Sequence, residues 1–163
     1  MGVLVAFASL GLSGWTVIEG HFMTSDFDEV CGGIAWLQDD FNGPWIRKRS
    51  RLAGLLPALL SNPLGIIGGL ASAAAISMAI LSTSIVLWGQ AIGGRNAGLW
   101  VGFACLGLPP LTQVSRTLSL YPEISAVFAA TGAAIAWTMV TQQRAWLVIA
   151  AVLNGLVFCM DLK

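Results

Sequence analysis

Apolar residues come in long unbroken runs, and the polar residues between them fall in short clusters, so the pattern predicts membrane-length helices rather than the alternation of a half-buried strand. A bilayer core takes about 20 mostly apolar residues per helix. Val3 to Ile18 predicts a short first span, closed by Glu19. Pro63 to Ile92 predicts a second span, whose GGLASAAAIS stretch offers the small-residue surface that lets membrane helices approach closely. Gly93-Gly94-Arg95-Asn96 predicts a tight loop. Ala97 to about Leu111 predicts a third span, interrupted by Pro109-Pro110, and a fourth runs from about Leu120 to Val140. After Thr141 to Arg144, a fifth runs from Ala145 to Met160. The expected fold is all-α and polytopic, with about five transmembrane helices.

The polar segments change this picture in one place. Residues 19–62 hold six of the eight acids (Glu19, Asp26, Asp28, Glu29, Asp39, Asp40) and four of the eight bases (Arg47, Lys48, Arg49, Arg51). Two pieces of this first loop read as interfacial helices. Asp28 to Leu37 has an acidic start suited to the positive end of the helix dipole, with Val30, Ile34 and Leu37 at helical spacing. Ser50 to Leu60 is basic at its start and apolar afterwards. Asn42-Gly43-Pro44-Trp45 between them reads as a turn.

Composition agrees with a membrane chain: 56% of residues are hydrophobic and only 10% are charged, against about 25% charged in soluble domains. Equal numbers of bases and acids give no net field for nucleic acid. The three cysteines, Cys31, Cys105 and Cys159, have no metal-ligand spacing, and no cofactor or metal site is read from the sequence. The N-terminus lacks a Lys/Arg-rich leader region and reads as an uncleaved span. With an odd number of spans, the 19–62 loop, the 112–121 turn and the Asp161-Leu162-Lys163 end share one face, and Arg95 and Arg144 share the other. Counting Lys and Arg near span ends then sets six bases on the acid-rich face against two, so either that face is cytoplasmic or its bases are retained for binding.

Several polar residues have plain structural roles. Asp26 suits a helix cap, Asp39 and Asp40 a solvated loop, and His21 an interfacial side chain. Trp15, Trp45, Trp88, Trp100 and Trp146 stand near span ends as belt residues, and Arg95 and Arg144 read as cytoplasmic anchors. The remaining charges converge differently. Asp28 and Glu29, the Arg47 to Arg51 run, Arg116 with Glu123, and Asp161 with Lys163 all fall on one face. Glu123 follows Pro122 at a span start, a placement suited to a cavity mouth. A carboxylate within reach of an acceptor hydroxyl serves as a general base, and arginines make forked, charge-assisted hydrogen bonds to phosphate oxygens.

In order and spacing these features resemble the N-terminal part of the GT-C membrane glycosyltransferases, in particular the protein mannosyltransferase and aminoarabinose transferase-like group. Asp28-Glu29 match the acid motif early in the first large loop. "RNAGLWVGFACLGLPPLTQVSRTLSLYPEISAVF" resembles the family's run of small residues, a proline, Ser-Arg, then an acid opening the next span; "RAWLVIAAVLNGLVFCMDLK" resembles its fifth span. The resemblance implies an extracytoplasmic first loop at a bacterial inner (plasma) membrane. It also implies inverting transfer of a sugar from a polyprenyl-phosphate donor to a lipid, glycan or protein acceptor. Asp28 or Glu29 would be the base, Arg49, Arg51, Arg116 and Lys163 the donor-phosphate ligands, and Glu123 a supporting acid. Arg49 and Arg51 stand where many members have Lys-Pro-Pro. Since family members carry more spans, residues 1–163 are expected to be the N-terminal module of a longer protein. The other reading is a non-catalytic membrane subunit or small transporter.

Overall fold

The computed structural model describes residues 31, 33–35, 37–38, 54–107 and 121–161. Among them the chain is all-helical. Its elements are α1 (Leu55–Gly107), α2 (Tyr121–Thr141) and α3 (Arg144–Asp161), preceded by a helical turn at residues 33–35. The expected first span and most of the 19–62 loop lie outside the described residues. Two helices, Leu55–Ala104 and Glu123–Thr141, are long and apolar enough to cross a membrane, and Arg144–Met160 is apolar but shorter.

α1 is not one rod. Gly65 (φ 73°, ψ 167°) and Gly94 (φ 76°, ψ −176°) leave helical geometry in a region of backbone space open essentially to glycine alone. Pro63, which lacks an N–H, helps end the first limb. The limbs fold back on one another. A Cβ on Gly69 would lie 2.6 Å from the Pro57 carbonyl oxygen and 2.7 Å from the Ser61 nitrogen; one on Gly98 would lie 2.9 Å from the Val86 carbonyl oxygen. In a straight helix Val86 and Gly98 would stand about 18 Å apart. Residues 55–64 and 95–107 are therefore antiparallel partners of the central limb, residues 66–93. The expected second and third spans correspond to the central and last limbs. The segment expected to lie at the interface up to Leu60 instead continues through Pro63 and turns back at Gly65.

α2 runs parallel to the central limb. Met78 and Leu81 cluster with Ala126 and Ala129, and the Trp137 Nε1–H donates to the Leu87 carbonyl at 3.2 Å. Residue numbers thus rise together along both helices. α3 returns antiparallel after a tight reversal in which Gln142 takes a positive φ of 57°, stabilised by the Gln142 side-chain amide donating to the Met139 carbonyl at 2.8 Å.

The interior is built of small residues. Ala73, Ala74, Ser77, Ala126, Ala129, Ala133 and Ala134 are buried, while Ile92, Trp100, Phe103, Phe128, Met139, Val152 and Phe158 stand exposed. Leu70, Met78, Leu81 and Val86 are buried among the small residues, but most of the large apolar side chains stand outside, unlike those of a water-soluble core. Hydroxyls inside the bundle bond back to their own helices: Ser82 to the Met78 carbonyl (2.8 Å), Thr131 to Val127 (2.9 Å) and Thr138 to Ala134 (2.8 Å).

Candidate functional site

Of the residues expected to carry chemistry, Asp28, Glu29, Arg49, Arg51, Arg116 and Lys163 lie outside the described residues. Glu123 is described. It sits in the first turn of α2, where a carboxylate suits the positive end of the helix dipole, and it is 7% exposed. The pairing of Ala126 with Met78 sets it level with residues 74–75 of the central limb. That limb continues to residue 66, about 13 Å further. The acid expected at the rim of a span is thus recessed within the bundle, below its Gly65 end.

The same level receives the downstream edge of the acid-bearing segment. Ile34 packs on Leu70 and Ala74, and Gly33 lies so close to Gly54 and Ala58 that a Cβ would meet the Gly54 carbonyl and the Ala58 methyl. Gly33 is four positions beyond Glu29 in the sequence. Only a glycine fits the crossing, so this approach is written into the sequence.

Charge is segregated along the bundle. Because α2 parallels the central limb and α3 reverses, the Gly94 and Gln142 turns come to one end, and with them Arg95 and Arg144. Glu123 and Asp161 stand at the other end of α2 and α3, about 27 Å away along the axis. Among the described residues, then, both bases mark one end and both acids the opposite level.

Tryptophans mark a plane. Trp137 bonds to Leu87, and Trp88 lies over Gly132, whose Cβ would stand 3.4 Å from the ring. The Trp146 ring is 6.2 Å from that of Trp137. Trp100 comes level with residue 88 through the contacts of Gly98 and Gly89 across the hairpin. By backbone register the four tryptophans among the described residues therefore fall in one band about 9 Å from the Gly94 turn, with the Trp88 ring reaching about 8 Å further from that turn to lie over Gly132. Spacing alone assigned Trp88, Trp100 and Trp146 to span ends; Trp137 and the common plane emerge only from the helix register.

No group of three or more His, Cys, Asp or Glu side chains converges on a metal position among the described residues. Compared against protein families, characterised proteins and solved structures, the chain finds no match.

Proposed function

We propose that the chain is a multi-pass integral membrane protein of an inner or plasma membrane, and that it transfers a glycosyl group from a polyprenyl-phosphate-linked donor. The observation that carries the membrane reading is the inverted packing: alanines and serines inside, Phe128 (66% exposed), Phe158 (67%) and Met139 (71%) outside. Water would penalise such a surface, whereas lipid tails are as apolar as the side chains, and close approach of small residues drives association there. The tryptophan plane marks one interface, and the family resemblance sets Arg95 and Arg144 beyond it on the cytoplasmic side, the six bases of the opposite face being retained for binding. A hydrocarbon layer about 30 Å thick, measured from that plane, reaches to about residue 68 of the central limb and encloses Glu123.

Two things support the transferase reading. One is the sequence pattern of residues 28–29, 116 and 123. The other is the shared level of Glu123 and the segment that follows Asp28-Glu29. In this account Asp28, with Glu29 as its neighbour or substitute, takes the proton from the acceptor hydroxyl as that oxygen bonds to the anomeric carbon from the face opposite the phosphate. The bond from carbon to the phosphate oxygen breaks, and Arg49, Arg51, Arg116 and Lys163 neutralise the departing charge. Glu123 orients polar groups at the membrane end of the cleft.

The test is sugar transfer in liposomes holding the full-length reading frame that carries this module. Asp28→Asn or Glu29→Gln lowers transfer about 10²- to 10⁴-fold, the usual worth of a general base, while donor binding persists. Full activity in both variants refutes the assignment. The burial of Glu123 favours a second reading, a small transporter, since ionisable groups inside spans mark solute and ion paths. Under it, Glu123→Gln abolishes uptake into the same vesicles and no sugar is transferred.

A further inference from the structure

α3 carries two parallel stripes at coiled-coil spacing. Trp146, Ala150, Leu153, Val157 and Met160 face the bundle, with α2 as the only other described element that α3 contacts. One position on, Leu147, Ala151, Asn154 and Phe158 repeat at steps of four, three and four residues, and every one is exposed. Asn154 is the anomaly. It lies eight residues from Trp146, about 12 Å below the tryptophan plane, and its amide makes no hydrogen bond to another described residue. An amide facing hydrocarbon without a partner is costly.

We infer that α3 pairs with α3 of a second copy of this chain, with Asn154 bonded to Asn154 across the contact. The occupant follows from the chemistry. An amide carries both donor and acceptor, so it satisfies an identical amide across a two-fold axis, and copies inserted in one orientation present their α3 helices in parallel. Ala151 on the stripe and Gly155 beside it, whose Cβ would meet nothing within 4 Å, allow the backbones to approach. The 3.5-residue repeat is the seam of a left-handed helix pair, in which one buried asparagine also fixes register. The inference rests on α3 crossing the bilayer and is independent of the chemistry at Asp28.

The test is energy transfer between donor- and acceptor-labelled copies of the whole chain in phosphatidylcholine vesicles, followed as lipid dilutes the protein. Asn154→Leu weakens association roughly 3- to 30-fold, the range expected for interhelical polar bonds in lipid. Asn154→Gln restores it, and Ile149→Leu, off the stripe, leaves it unchanged. In a background with Cys31, Cys105 and Cys159 replaced by Ser, a cysteine introduced at Ala151 cross-links between chains. Wild-type copies that stay apart at every dilution, an Asn154→Leu variant that associates like wild type, or a residue-151 cysteine that stays uncross-linked in vesicles where the copies associate each overturn the pairing. Carbonate-washed vesicles separate the two failures. Protein retained but monomeric refutes only the pairing; protein released refutes the bilayer reading itself.

Discussion

Replacing Gly98 by alanine tests the hairpin on which the helix register depends. The added methyl would meet the side chain of Gln90 and stand 2.9 Å from the Val86 carbonyl oxygen. Gln90 can swing away, but the carbonyl belongs to the central limb and can move only with the backbone. Overpacking of this kind costs about 1–3 kcal/mol, offset by the roughly 0.8–1 kcal/mol that alanine gains over glycine within a helix. Gly155→Ala is the control, because its methyl enters open space and only the propensity gain remains. The two alanine variants should therefore differ by about 1–3 kcal/mol, with Gly98→Ala the weaker. Denaturation in mixed micelles, followed by tryptophan emission at a protein-to-detergent ratio low enough to keep copies apart, measures the difference. Equal stability of the two variants would mean that residues 95–107 do not fold back on the central limb, and the common level of Trp88 and Trp100 would fall with it.

Other perturbations separate other parts of the account. Gly94→Ala meets nothing within 4 Å but must hold a glycine-only conformation, so it should cost about 1–3 kcal/mol through the backbone alone; a neutral effect in the same denaturation would refute the break. Trp137→Phe keeps an aromatic ring but removes the rest of the indole, and with its N–H the bond to the Leu87 carbonyl. A loss of about 0.6–1.5 kcal/mol is expected, and a stabilised variant would contradict the α1–α2 register. Glu123→Gln keeps the shape of the buried turn, so the helical content by circular dichroism should match wild type while transfer or uptake falls; unchanged function would remove Glu123 from the site.

The helices were legible because their signal is strong and local. The fourth and fifth spans, Leu120 to Val140 and Ala145 to Met160, match α2 and α3 to within a residue, and Gly93-Gly94 was a readable break. The limb before Gly65 was not. Its apolar character suits a segment lying on a membrane as well as one packed on a neighbouring helix, and only the contacts of Gly69 with Pro57 and Ser61 distinguish these. Depth was also hidden. Sequence set Glu123 at a span start, but its distance from the bundle end depends on how far the partner helix extends past it, a matter of register between helices. The exposed stripe through Asn154 was equally invisible, since composition does not say which side of α3 meets α2. For Asp28, Glu29 and the bases proposed to hold phosphate, sequence pattern is the source of the assignment.

The whole account depends on the bundle crossing a bilayer with Arg95 and Arg144 on one side and the acid-bearing connection on the other. Single cysteines at Ser25, Ser50, Asn96 and Gln143, in the background with Cys31, Cys105 and Cys159 replaced by Ser, test this with a membrane-impermeant maleimide applied to intact cells. The account predicts labelling at 25 and 50 in intact cells and at 96 and 143 only after permeabilisation. Equal labelling of all four before permeabilisation, or protection of all four, would contradict it.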